Sequence, residues 1–175
     1  MHYRKEYHHG KWYKNRRGGG VTKGVFFKDY NANGYPLTMN INLDTIKQSQ
    51  FAGATGTYGN TSNHTFDNLT LLNVKANAIE ESSFKYTGNN IAKTKVKCPS
   101  IGNGAFESAG GKFWICKECL SIGTTGLFGM YSNATCSVYC EASSKPSAWP
   151  SSWNNTGYNT LTVYWGVSEA SFDAL

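Results

Sequence analysis

Ile101-Gly102-Asn103-Gly104-Ala105-Phe106 is echoed downstream by Ile122-Gly123-Thr124-Thr125-Gly126-Leu127-Phe128, and more faintly upstream by Ile79 to Phe84 and Ile46 to Phe51. A phrase that recurs at a short period encodes one supersecondary unit that cannot bury its apolar face alone and has to stack on copies of itself. The anchor isoleucines are separated by 33, 22 and 21 residues, so the period is 21 to 22 and the first step carries an insertion. That insertion includes Thr57-Tyr58-Gly59-Asn60-Thr61-Ser62-Asn63-His64-Thr65, which has the composition of a surface loop.

Five residues before each isoleucine stand Ile41, Val74, Val96 and Lys117, and three before stand Leu43, Ala76, Cys98 and Cys119. Apolar residues two apart mark a short strand with one buried face. Each unit therefore reads as a strand, a turn, the isoleucine, a short helical or irregular stretch, and a phenylalanine that fills the interior on the far side. The expected fold is an α/β-type repeat solenoid, a short stack with a parallel strand face. Its predicted core is Ile46, Phe51, Ile79, Phe84, Ile101, Phe106, Ile122 and Phe128. Lys117 breaks the pattern, and a bulge within residues 113–119 that turns Cys116 inward and Lys117 outward restores it.

These residues resemble the BspA-like leucine-rich repeats, whose units centre on an Ile-Gly-x-x-Ala-Phe phrase after a short strand. The match is literal at Ile101 to Phe106 and one residue longer at Ile122 to Phe128; it is degenerate in the two upstream units, where the glycine is Glu80 and Lys47. Val138-Tyr139-Cys140-Glu141-Ala142, Pro146, Trp149, Trp153-Asn154 and Val163-Tyr164-Trp165-Gly166 are similar to the terminal repeat and cap of such arrays. Val25 to Tyr30 with Gly34-Tyr35-Pro36 is similar to their first strand and hairpin. The resemblance spans residues 21–167. It implies a leucine-rich-repeat stack and a habit of protein or receptor binding on surfaces and in phage particles, and it implies no catalysis.

Charge divides the chain differently. Residues 1–20 hold Arg4, Lys5, Lys11, Lys14, Arg16 and Arg17 against Glu6, whereas the other 155 residues carry eleven basic and ten acidic side chains within a total net charge of +6. A basic aromatic arm with Trp12 and Tyr13, ending in the flexible joint Gly18-Gly19-Gly20, thus precedes a nearly neutral repeat domain over 21–167 and a C-terminal tail over 168–175. Basic residues interleaved with rings can neutralise phosphates while stacking on bases. The same composition suits a segment that orders only against a protein partner, or a solubilising tail. The arm's candidate partner-binding residues are Arg4, Lys5, Lys11, Trp12, Tyr13, Lys14, Arg16 and Arg17.

Cys116-x-x-Cys119 followed by Cys136-x-x-x-Cys140 has nearly the spacing of a four-thiolate zinc site. Cys98, Cys119 and Cys140, however, are spaced at equal steps of 21, which the repeat stacks as one buried thiol column. A column spaces its members by about 4.8 Å along the stack, whereas zinc needs convergent ligands. Buried free thiols are expected, with zinc and a disulfide as the alternatives. No nucleophile elbow, phosphate loop or paired carboxylate accompanies His2, His8, His9 and His64, so no catalytic residue, metal or cofactor is assigned. The outward strand positions, Asn73, Lys75, Lys95, Lys97 and Tyr139, form a candidate binding face, since strand faces of repeat stacks recurrently bind partners. A merely solvated face is the alternative.

No apolar stretch approaches the roughly eighteen residues of a membrane span, and no apolar run follows the N-terminal basic residues as in a secretory signal. Together with what the resemblance implies, this favours as the expected function that of a non-enzymatic phage virion protein, such as a fibre, decoration or tail-associated protein. It would be assembled in the host cytoplasm, with the arm docked to virion proteins and the repeat body turned to other proteins or a host surface receptor. The alternative is a cytoplasmic, phage- or host-encoded binding or inhibitor protein that contacts nucleic acid, or an enzyme that handles it, through the arm. A secreted adhesin comes third.

Overall fold

The computed structural model describes residues 37–51, 69–85, 91–107, 109–124, 127–128, 136–155 and 161–175. The arm residues Arg4, Lys5, Lys11, Trp12, Tyr13, Lys14, Arg16 and Arg17, the segment Val25 to Pro36 and the loop Thr57 to Thr65 lie outside them. Alternating apolar and polar residues build eight strands: Leu37–Ile46 (β1), Leu69–Ile79 (β2), Lys93–Lys97 (β3), Ser100–Ile101 (β4), Gly111–Ile115 (β5), Ser121–Ile122 (β6), Cys136–Cys140 (β7) and Leu161–Trp165 (β8). Glu169–Asp173 (α1) is the single helix among the described residues. Every strand pairing is parallel, and the strands form one curled sheet, a repeat-like arrangement. A main ladder runs β1-β2-β3-β5-β7-β8, while the ends of β1 and β2 continue into a second, short ladder through β4 and β6.

Two columns of side chains cross these ladders and make the core. Ile46, Ile79, Ile101 and Ile122 are in register, one per unit, and all are buried. On the far side Phe51 stacks on Phe84 at 5.1 Å between ring centroids, Phe84 on Phe106 at 5.0 Å, and Phe106 on Phe128 at 6.2 Å. Phe113 sets its edge against both Phe106 and Phe128, at 5.3 and 4.7 Å. Each buried ring contributes on the order of 1.5–3 kcal/mol through removal from water, and offset stacking adds about 0.5–1.5 kcal/mol per pair. Trp149 and Trp153 continue the filling at the C-terminal end, 4.9 Å apart and edge to face, with Trp165 beside both. Trp149 Nε1 donates to the Cys119 carbonyl at 3.0 Å, which supplies the partner a buried indole N–H requires.

The backbone explains the recurring phrase. Directly after each isoleucine the chain donates to the previous unit: Glu80 N to Ile46 O at 2.8 Å, Gly102 N to Ile79 O at 2.7 Å, and Gly123 N to Ile101 O at 2.8 Å. A Cβ on Gly102 would lie 2.6 Å from Glu81 N and one on Gly123 2.5 Å from Asn103 N, so close approach of successive turns excludes a side chain there. Two residues later Ser49, Ser82 and Gly104 all adopt left-handed φ angles of 53° to 56°, which turns the chain inward toward the phenylalanine. A second set of bonds then closes the far side, from Phe51 N to Ser83 O, Phe84 N to Ala105 O and Phe106 N to Leu127 O, at 2.7 to 3.1 Å. These far-side segments are turns throughout the described residues, not short helices.

Three expectations from the repeat need correction. Around Lys117 there is a turn and no bulge: β5 ends at Ile115, in register with Val96, and Cys119 N donates to Cys116 O at 3.1 Å. Cys116 is buried, but with Trp114 and Phe172 on the outer side of the sheet and not in the main core. Cys98 and Cys119 do occupy equivalent places, each thiol meeting the carbonyl oxygen two residues on, at Ser100 and Ser121. Cys140, by contrast, pairs in register with Ile115, and so lies in the Val96 row. Leu43 is 39% exposed although its neighbour Ala76 is buried.

All five cysteines are buried free thiols. Loss of solvation pushes Cys116 up to about 11 and Cys136 and Cys140 up to about 12, and raises Cys98 and Cys119 as well. The native protein is accordingly expected to react slowly with a thiol reagent near neutral pH and to expose five reactive thiols on unfolding without reductant. Fast labelling of the folded chain would contradict this packing. Phe106→Ala is expected to cost about 3–5 kcal/mol, because the ring is lost from the middle of a stack that cannot collapse around the void. A shift in urea midpoint worth less than about 1 kcal/mol would show the ring to be peripheral.

Candidate functional site

Between the buried positions the strands turn a second set of side chains to the outer face. One row runs Asn40, Asn73, Lys95, Trp114, Tyr139 and Tyr164 across six strands. A second places Lys75 beside Lys97 after Asn42, and a third places Lys93 beside Lys112. Like charges in register on neighbouring strands repel at about 4.8 Å spacing, so this face is destabilising unless anions answer it.

Residues 168–175, set apart in the sequence as a tail, supply those anions. After β8 the chain passes Gly166, and Ser168 caps α1 by accepting the Ser171 N–H at 3.1 Å. The helix lies across the lysines. Glu169 meets Lys95 at 3.0 Å and Lys97 at 2.7 Å, and Asp173 meets Lys95 at 3.0 Å. Lys93 Nζ donates to the Asp173 carbonyl at 2.7 Å, and Lys112 Nζ to the Leu175 carbonyl at 3.3 Å. Between the carboxylates Phe172 is fully buried against Trp114 and Cys116, with its ring 5.4 Å from Tyr139. Trp114 Nε1 donates to the Val167 carbonyl at 2.8 Å, and Tyr139 stacks on Tyr164 at 4.7 Å.

The electrostatics follow from this packing. Burial by itself would lower the Lys95 ammonium, whose side chain is only 11% exposed, but the hydrogen bonds it donates to the Asp173 and Glu169 carboxylates outweigh it and hold the group above its usual value. The Lys97 hydrogen bond holds the Glu169 carboxyl below its usual range against opposing burial, with Lys95 adding to the effect.

Next to α1 the face stays open as a groove of about 590 Å³, lined by Asn42, Lys75, Asn77, Lys97, Glu118 and Glu141 among others. Asn73 Nδ2 donates to Asn40 Oδ1 at 2.8 Å, while Asn73 Oδ1 is buried without a hydrogen-bond partner among the described residues. Of the candidate face residues, Lys75 thus lines the open groove and Asn73 pairs with Asn40, whereas Lys95 and Lys97 are paired to α1 and Tyr139 packs against it. Sequence reasoning missed Trp114, Glu169, Phe172 and Asp173. The available signal was a serine followed by two carboxylates four residues apart that bracket a phenylalanine.

Among the described residues no three His, Cys, Asp or Glu side chains are placed to hold a metal ion, and no helix is long and apolar enough to cross a membrane. No protein-family model, curated protein or solved structure matches the chain.

The depressed Glu169 carboxyl makes α1 docking pH-dependent on the acid side. A carboxyl whose folded value is lowered stabilises the docked state above its unfolded value, and that contribution disappears as pH falls through the folded value. Fluorescence quenching of Trp114 by acrylamide is therefore expected to be constant from about pH 6 to about pH 8, and to rise below about pH 4 before the sheet unfolds. In the Glu169→Gln protein that acid-side step is expected to shrink. A step unchanged by the substitution would assign the transition elsewhere.

Proposed function

We propose that the chain is a non-enzymatic interaction protein built as a BspA-like leucine-rich-repeat solenoid. In this reading it is a component of a phage particle, with the basic aromatic arm docked to virion proteins and the outer sheet face turned to another protein or a host surface molecule. The carrying observation is the outer face itself. Lysines placed in register, beside a groove of about 590 Å³ lined by charged, polar and apolar side chains, form a surface whose charges need an external or internal anion. The in-register isoleucines and stacked phenylalanines support the repeat reading, because a BspA-like phrase places one of each per unit. The arm's six basic residues against Glu6 favour a second reading, a cytoplasmic binding or inhibitor protein that contacts nucleic acid.

Mass spectrometry of purified particles tests the first reading, which expects stoichiometric presence. Deleting residues 1–20 is expected to abolish incorporation. Replacing Trp12 and Tyr13 by alanine should impair it more than replacing Arg16 and Arg17, as aromatic anchors dominate protein docking. Absence from particles, together with oligonucleotide binding that weakens with salt at a log-log slope of about 0.9 per neutralised phosphate, would favour the second.

A further inference from the structure

The two ends of the strand stack are finished differently. In β1, Met39 and Ile41 are buried, at 7% and 2% exposure, so the interior is closed at that end. At the other end β8 is the last strand of the main ladder, and it covers Cys136, Val138 and Cys140 with Leu161, Val163 and Trp165. Those three side chains are themselves only half-buried, while Thr162 and Tyr164 on the outer face are exposed. Tyr164 stacks on Tyr139 within 11° of parallel, so the other face of its ring points away from β7.

The main chain of this edge is open as well. Glu141 N donates to Ile115 O and Cys140 O accepts from Val167 N, so Cys136, Val138 and Cys140 direct their main-chain groups toward β8. In a parallel ladder such residues bond to the neighbours of their register partners, here Thr162 and Tyr164. Leu161, Val163 and Trp165 therefore hold their N–H and C=O groups on the outer edge, where no strand meets them among the described residues. Edge strands are ordinarily protected by lysine, proline, a bulge or a covering segment. None of these marks β8 among the described residues: its register is regular, its five residues are β-branched, aromatic or leucine, and no charged residue stands between Lys145 and Glu169.

We propose that β8 is a self-association edge, which pairs antiparallel with β8 of a second copy across a two-fold axis at Val163. The strand is complementary to itself in that pairing. Val163 meets Val163 of the second copy as a hydrogen-bonded pair, Leu161 meets Trp165 on the inner row, and Thr162 meets Tyr164 on the outer row. Rings opposite aliphatic or threonine side chains are favourable cross-strand pairs, and no like charges are opposed. Pairing of β8 with β1 of the next copy is disfavoured, because the β1 end is already closed and a head-to-tail contact of that kind propagates instead of stopping at two. A five-residue edge is smaller than a standard interface of roughly 800 Å² per partner, so association is expected to be reversible and concentration-dependent. The pairing holds whether or not the protein belongs to a particle.

Sedimentation velocity on the full chain tests this. The mass is expected to rise with concentration from 19.3 kDa to that of a dimer and no further, with a dissociation constant on the order of micromolar. Val163→Pro removes an outward N–H at the axis and leaves the bonds to β7 in place, so it is expected to weaken the dimer at least about ten-fold while the cooperative unfolding transition remains. Thr162→Lys combined with Tyr164→Lys alters only exposed side chains, sets lysines opposite each other across the axis, and is expected to do the same. Hydrogen exchange of the unaltered chain needs no variant. As concentration passes through the transition, the Leu161, Val163 and Trp165 amides are expected to slow, whereas those of Thr162 and Tyr164, already bonded to β7, keep their protection. A monomer at every concentration up to about 200 μM would overturn the proposal, as would a dimer that both altered chains form as readily as the unaltered one. Masses that climb past the dimer would assign β8 to the β1 edge of a further copy and reject the two-fold pairing. A dimer in which the three edge amides exchange as fast as in the monomer would place the contact on another face and reject β8.

Discussion

The structure depends on a hydrogen bond that each unit donates to the preceding one from the residue just past its strand end. After Ile79, Ile101 and Ile122 the chain turns away from its strand with a partly buried backbone donor, and an unpaired N–H removed from water costs about as much as a lost hydrogen bond. Donation from Glu80, Gly102 and Gly123 to the preceding isoleucine carbonyl meets that demand, and it fixes how near successive turns approach. Everything else in the unit is set by that distance. Gly102 and Gly123 stand where the later turns approach too closely for a Cβ, the isoleucines fall in register, and the phenylalanine rings meet at about stacking separation. In the second unit Glu80 stands where the phrase has glycine, and its carboxylate turns back to accept from Gln48 N and Lys47 Nζ, both at 2.9 Å, satisfying a donor in the previous turn.

A parallel sheet built this way has two faces with opposite requirements. Its inner face is closed by rings and isoleucines, but its outer face repeats whatever the strand presents, and here it presents lysine beside lysine. The repulsion is relieved locally by Glu169 and Asp173, and by main-chain carbonyls at the C-terminal end of α1. The two faces therefore differ in what satisfies them: the inner face is closed by stacking, whereas the outer face carries an electrostatic demand that α1 meets in part.

Period made the inner face legible. Ile46, Ile79, Ile101 and Ile122, with Phe51, Phe84, Phe106 and Phe128, lie where the spacing puts them because each is repeated by the same main-chain geometry. Counting by period failed where a unit changed length. Val96 and Ile101 are five residues apart but their counterparts Ile115 and Ile122 are seven apart, and the extra residues form the turn at Lys117 and Glu118. For the same reason the equal spacing of Cys119 and Cys140 did not place them in one column. The position of α1 left almost no trace, since five residues carry too little periodicity to reveal a helix and its ion pairs join residues 74 and 78 apart in sequence. Only the chemistry of Ser168 to Asp173 pointed to it, and that chemistry becomes meaningful once the lysine rows are seen.

Native-state hydrogen exchange tests the inter-unit bond most directly. The Glu80, Gly102, Gly123, Phe84 and Phe106 amides lie outside the strands, and in a chain of independent turns they would exchange by local fluctuation. If units are joined through these donors, all five are expected to be protected to the level of the strand amides of β2 and β3 and to exchange only with global unfolding. Exchange of Gly102 and Gly123 at rates typical of exposed turns, with the strands still protected, would contradict the account.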